Sequence, residues 1–96
     1  MNQFLIKLEP ITKDRFNMLL YKRPNATAKQ FNNIKTYGII KSDTASMITF
    51  LKEKLASVTT NLHFGEIDNK KAVFFEHDDA IALINELLVG NFTTHE

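Results

Sequence analysis

Residues 62–76, LHFGEIDNKKAVFFE, constrain the fold of this chain more than any other stretch. The segments LHFGEI and KAVFFE, on either side of Asp68–Asn69, read as two strands of a hairpin. A two-residue hairpin loop demands positive backbone φ at its central positions, and Asp and Asn tolerate that conformation better than most residues. The loop in turn sets the register. Phe64 faces Val73, Leu62 faces Phe75 and Glu66 faces Lys71, so two apolar pairs and one opposite-charge pair support the same alignment. A hairpin over 62–67/70–76 is therefore expected.

Helical periods flank it. Ala80, Leu83, Ile84, Leu87 and Leu88 recur at i, i+3, i+4, i+7 and i+8, which predicts a C-terminal helix over 79–89 closed by Gly90. Between Asp43 and Val58, the side chains of Met47, Ile48, Leu51, Leu55 and Val58 form a second stripe, with Phe50 lying off it. At the N-terminus, Phe4, Ile6 and Leu8 alternate as a strand that Pro10 ends. The stretch ITKDRFNMLLYKRP then carries helix punctuation. Thr12 stands as N-cap, Ile11 and Phe16 are at staple spacing, Lys22 and Arg23 sit at the C-terminal end, and Pro24 stops the element. Phe16, Met18 and Leu20 also alternate like a strand. Residues 25–37, NATAKQFNNIKTY, read either as a short helix with Ala28, Phe31 and Ile34 inward or as a long loop, before a short strand YGII. With 96 residues there is one domain, 1–96, and one modest core to which the eight Phe contribute. The expected class is α+β: an N-terminal strand, about three helices, and the hairpin followed by the C-terminal helix.

One alternative architecture follows from the order of elements. Helix, helix, GIIKSDTASMITFLKEKL, hairpin and helix together resemble a winged helix-turn-helix. That resemblance implies a recognition helix opened by Thr44–Ala45–Ser46 and a wing at 62–76. The order strand, helix, strand, helix, hairpin, helix also resembles thioredoxin-like domains, but without Cys or a Pro before NLHF no redox chemistry is implied.

Glu76, His77, Asp78 and Asp79 are the densest run of metal-capable side chains. Consecutive residues rarely converge on one ion, whereas carboxylates at a helix start satisfy free N–H groups and meet the positive end of the dipole. The run is read as a helix start, with Asp78 as cap. The chain has no Cys, which removes disulfides and thiol nucleophiles. Gly38, Gly65 and Gly90 are too scattered for a phosphate loop, and Ser42, Ser46 and Ser57 lack a nucleophile-elbow context. His95 lies in a tail, TTHE, read as frayed. No catalytic residue, metal or cofactor is expected, and the protein is read as a non-enzyme. MNQFLIKLEP is not a signal peptide and no run reaches membrane-spanning length, so a cytoplasmic protein without a membrane partner is expected.

Charge is segregated beneath a net charge of +1. Residues 13–41 hold seven cations and one anion, net +6, while residues 42–96 hold four cations and nine anions, net −5. Either the basic part meets an acidic partner or the two parts neutralise each other in the fold. YKRPNATAKQFNNIKTYGIIK interleaves cations with aromatics and amides, which suit phosphates, base faces and base edges respectively. A solvated polar face has the same composition. The favoured reading is a small binding or regulatory protein that contacts nucleic acid, or a nucleic-acid-handling protein, through residues 13–41. Candidate binding residues are Arg15, Tyr21, Lys22, Arg23, Lys29, Lys35, Tyr37, Lys41 and Phe50. The alternative is an inhibitor or adaptor that covers a partner protein, with Phe50, Tyr21 and Arg23 as anchors. A homodimer is compatible with either.

Overall fold

The computed structural model describes residues 2–25 and 27–95. Among these residues, six strands and two helices follow in the order β1 (Asn2–Thr12), β2 (Arg15–Arg23), β3 (Asn32–Ile40), α1 (Thr44–Leu55), β4 (Thr60–Ile67), β5 (Lys70–His77), α2 (Ala80–Leu88) and β6 (Thr93–His95). The strands form one sheet, in the order β4-β5-β1-β2-β3-β6, and every neighbouring pair is antiparallel. Both helices pack on one face. Phe4, Ile6 and Leu8 of β1, Phe16, Met18 and Leu20 of β2, Tyr37 and Ile39 of β3, and Val73 and Phe75 of β5 are buried there. They meet Met47, Leu51 and Leu55 of α1 and Ala80, Ile84 and Leu88 of α2.

This architecture corrects the sequence reading. A sheet dominates in place of about three helices, and a winged helix-turn-helix is excluded because the two helices that would precede α1 are strands. Residues 12–23 show why. Their helical punctuation is local, and a cap contributes only about 1 kcal/mol. Their period-2 alternation buries Phe16, Met18 and Leu20 completely, between β1 on one side and β3 on the other. Thr12 caps nothing: its hydroxyl donates to Asp14 Oδ1 at 3.1 Å within the β1–β2 turn. Ile11 is 54% exposed at a register shift, so the staple to Phe16 does not form. The ambiguous stretch 25–37 divides into a loop and the first part of β3, with Ala26 outside the described residues. Within β3 a bulge at Ile34 shifts the register, and the Asn33 amide donates to the Leu20 and Lys35 carbonyls at 3.1 and 3.3 Å.

The hairpin β4–β5 turns through Asp68 and Asn69 at φ 54° and 66°, with Phe64 opposite Val73 and Glu66 opposite Lys71. Helix α1 is capped by Asp43, which accepts the Ser46 N–H at 2.7 Å; that bond holds the Asp43 carboxyl below its ordinary value. In α2 the cap is Asp79 rather than Asp78. Its carboxylate accepts the Ala82 N–H at 3.2 Å, while its own N–H donates to His77 Nδ1 at 2.9 Å. The tail also differs from expectation, since Thr93–His95 pair with Ile40–Gly38; Glu96 lies outside the described residues. Among the described residues no helix is long and apolar enough to cross a membrane.

Candidate binding face of the sheet

With both helices on one side, the alternate side chains of every strand line the opposite face. The ladder registers arrange them in rows across the sheet. One row runs His63, Phe74, Leu5, Tyr21, Asn33; the next runs Gly65, Ala72, Lys7, Leu19, Thr36. Leu5, Leu19, Tyr21 and Phe74 are only partly buried, so this face presents apolar and aromatic surface to solvent. Lys7 places its ammonium 5.1 Å from the centre of the Tyr21 ring. Small residues at 65 and 72 keep the floor beside the rings low.

The row at the end of the face is polar and continuous. Arg23 Nε donates to Gln3 Oε1 at 2.8 Å, Gln3 Nε2 donates to Glu76 Oε2 at 3.0 Å, and Asn61 Nδ2 donates to Glu76 Oε1 at 2.6 Å. This chain links β2, β1, β5 and β4 and satisfies the amide of buried Gln3. The bonds from Gln3, then from Asn61, hold the Glu76 carboxyl below its ordinary value. Above the chain lies the loop between β2 and β3. Asn25 Oδ1 accepts from the Thr27 and Ala28 N–H groups, each at 3.0 Å, and shapes the turn. Phe31 then folds back, its ring 4.5 Å from the Arg23 guanidinium and edge-on to Phe74 at 6.1 Å.

The candidate residues scatter against this geometry. Tyr21 and Arg23 lie on the open face, Arg15 at its far end, and Lys29 in the exposed loop. Lys22 alternates to the other face. Lys41 follows β3 beside the β1–β2 turn, where the Ser42 N–H donates to the Asp14 carbonyl at 3.1 Å. The basic segment is thus not one patch. Lys13, Arg15 and Lys41 stand at one end of the β2–β3 hairpin and Lys22, Arg23 and Lys29 at the other. Arg15 and Lys22 are seven steps apart along the strand, roughly 23 Å. Tyr37 and Phe50 leave the candidate site altogether. Tyr37 is 7% exposed, and its hydroxyl donates to Asn85 Oδ1 at 2.8 Å; burial, then the charge of Asp79, raises its pKa. Phe50 packs edge-on against Phe92 at 4.9 Å and joins the core from α1. Lys35 is exposed on the helix side, its ammonium 5.6 Å from the Tyr37 ring.

Leu5, Lys7, Leu19, His63 and Phe74 were missed by reasoning from the basic segment, which did include Phe31 among its aromatics. A signal for one of them was present: two consecutive Phe in a strand must place one ring on each face, so the doublet Phe74–Phe75 announces an aromatic outside the core. Among the described residues no three His, Asp or Glu side chains gather as metal ligands. Comparison of the chain with protein-family models, curated proteins and solved structures found no match.

Proposed function

We propose that this domain binds single-stranded nucleic acid on the open face of its sheet and performs no chemistry on it. One observation carries the reading: Phe74, Leu5 and Tyr21 form a partly exposed row, with cations in the rows on either side, Lys7 in one and Arg23 in the other. Aromatic faces accept unstacked bases whatever their identity, and cations beside them neutralise the connecting phosphates. A single strand suits a broad sheet because its bases are free to stack, while a duplex withholds base faces and admits narrow elements into its groove. The cations at both ends of the β2–β3 hairpin extend the attraction along the path. Arg23 serves mainly to hold the loop and Gln3, so Lys7 is the cleaner probe of phosphate contact.

Fluorescence anisotropy with labelled oligo-dT and oligo-rU, over a series of salt concentrations, tests this reading. Tyr21→Ala and Phe74→Ala should each weaken binding by about 1–3 kcal/mol with little change in salt slope. Lys7→Ala should lower the slope of log affinity against log salt by about 0.7. Neutralising Lys22 and Lys29 together should weaken binding further at low salt. Wild-type protein with no affinity for either oligonucleotide at low salt would refute the proposal. Capture of a protein by the same face, insensitive to salt, would favour the covering adaptor instead.

A further inference from the structure

Along β5, the neighbours of Phe74 on the open face are Ala72 on one side and Glu76 on the other. Ala72 is small and stands opposite Gly65, so the side chain that rises at the end of the Phe74 ring is the Glu76 carboxylate. Two more rings flank Phe74 across the strands. His63 of β4 lies on one side, its ring centre 6.1 Å away and its plane tilted by 38°. Phe31 comes from the opposite side, out of the loop after β2, and stands at 90° with its centre also 6.1 Å away. Phe74 is thus the floor of a niche with a ring on each flank and a carboxylate at one end.

That carboxylate is fixed through both oxygens. Gln3 Nε2 donates to Oε2 at 3.0 Å and Asn61 Nδ2 to Oε1 at 2.6 Å. Asn61 reaches it from an irregularity in β4 between Thr60 and His63, with φ at 52°, a left-handed conformation that Asn tolerates. These hydrogen bonds, from Gln3 first, favour the ionised form, which only accepts. A carboxylate offers about four acceptor sites, so each oxygen keeps capacity for a further donor. Glu76 is only partly buried, and that capacity adjoins the stacking ring.

We propose that Glu76 makes the niche over Phe74 selective for guanine among the bases of the bound strand. The proposal rests on the single-strand reading above and adds a preferred base at one position. In a single strand the Watson–Crick edge is free to be read. Guanine presents two adjacent donors there, N1–H and the 2-amino group, which match the two oxygens of one carboxylate. Cytosine and adenine offer an amino N–H beside a ring-nitrogen lone pair, and that lone pair would face the second oxygen. Thymine and uracil offer a single N–H between two carbonyl oxygens. Like charge also keeps phosphate away from this end of the ring, so the base edge rather than the backbone meets Glu76.

The test is anisotropy competition at neutral pH and one salt concentration, with short oligo-dT in which one central dT is replaced by dG, dC, dA or deoxyinosine. A single guanine also avoids four-stranded assemblies. The dG strand should bind about fivefold more tightly than oligo-dT, the lower end for a bidentate base contact because the site is partly exposed. Deoxyinosine keeps N1–H but lacks the 2-amino group, and should lose most of that gain without any change to the protein. In Glu76→Gln the preference should vanish while affinity for oligo-dT is retained, and a cooperative thermal melt verifies that the variant is folded. Equal affinity for the dG and dT strands, or a dG preference that survives in Glu76→Gln, overturns the guanine assignment and leaves the single-strand reading standing. No binding of any strand at low salt overturns both.

Discussion

Asp78 and Asp79 differ by one position, and the side-chain geometry separates them sharply. Only Asp79 places an oxygen on the Ala82 N–H, so Asp79→Ala should cost about 1 kcal/mol in urea unfolding. Asp78→Ala should stay within about 0.5 kcal/mol of the wild type. Adjacent acids both looked suited to the cap, and the choice fell to the turn that carries the chain off β5, where the Asp79 N–H donates to His77 Nδ1. Glu76 illustrates a second role hidden in the same run: it accepts from both Gln3 and Asn61 and so joins Arg23 and Gln3 to β4. Its pKa is depressed in the folded protein, so its stabilisation is complete above the ordinary glutamate value of 4.5 and is lost as pH falls through the lower folded value. Glu76→Gln should therefore shrink the stability difference measured between about pH 6 and about pH 3.

At the scale of elements, the hairpin was legible and β2 was not. Asp68–Asn69 set the β4–β5 register from within the segment as far as His63, through a turn conformation that few residue pairs adopt; beyond it a register shift leaves the expected Leu62–Phe75 pair out of the ladder. Residues 15–23 carried both periods at once, and flanking strands decided between them. The doublet Phe74–Phe75 turns this logic into a measurement. Phe75 is fully buried and stacks on Phe4 at 5.7 Å, so Phe75→Ala should destabilise by about 3–5 kcal/mol. Phe74→Ala, on the open face, should cost visibly less in the same denaturation experiment while removing oligonucleotide affinity. Equal stability losses at the two positions would mean that the open face is covered in solution.

For the whole molecule, β1 is the spine. It pairs with β2 through a short turn and with β5 from almost the far end of the sequence, Asn2 standing opposite His77. Such non-local pairing makes folding slow compared with helical domains of this size. It also grades protection from hydrogen exchange. Amides of β1, β2 and β5, flanked on both sides, should exchange only through global unfolding. Those of β6 and the outer side of β4 should open locally and faster.

Local chemistry was enough to determine the β4–β5 turn, the two amphipathic helices and the strand at Phe4–Leu8 with its buried face, because each depends on neighbours within one or two turns of chain. The segregation of charge by residue number was equally plain, yet it did not foretell a patch, since one extended hairpin carries its cations to opposite ends. Tertiary structure alone decided that residues 15–23 extend, because their backbone groups find partners on both sides only within the sheet. It also decided that Tyr37 and Phe50 face inward while Tyr21 and Phe74 face out. Which face of a sheet is left open depends on where both helices land, and that is a property of the whole packing.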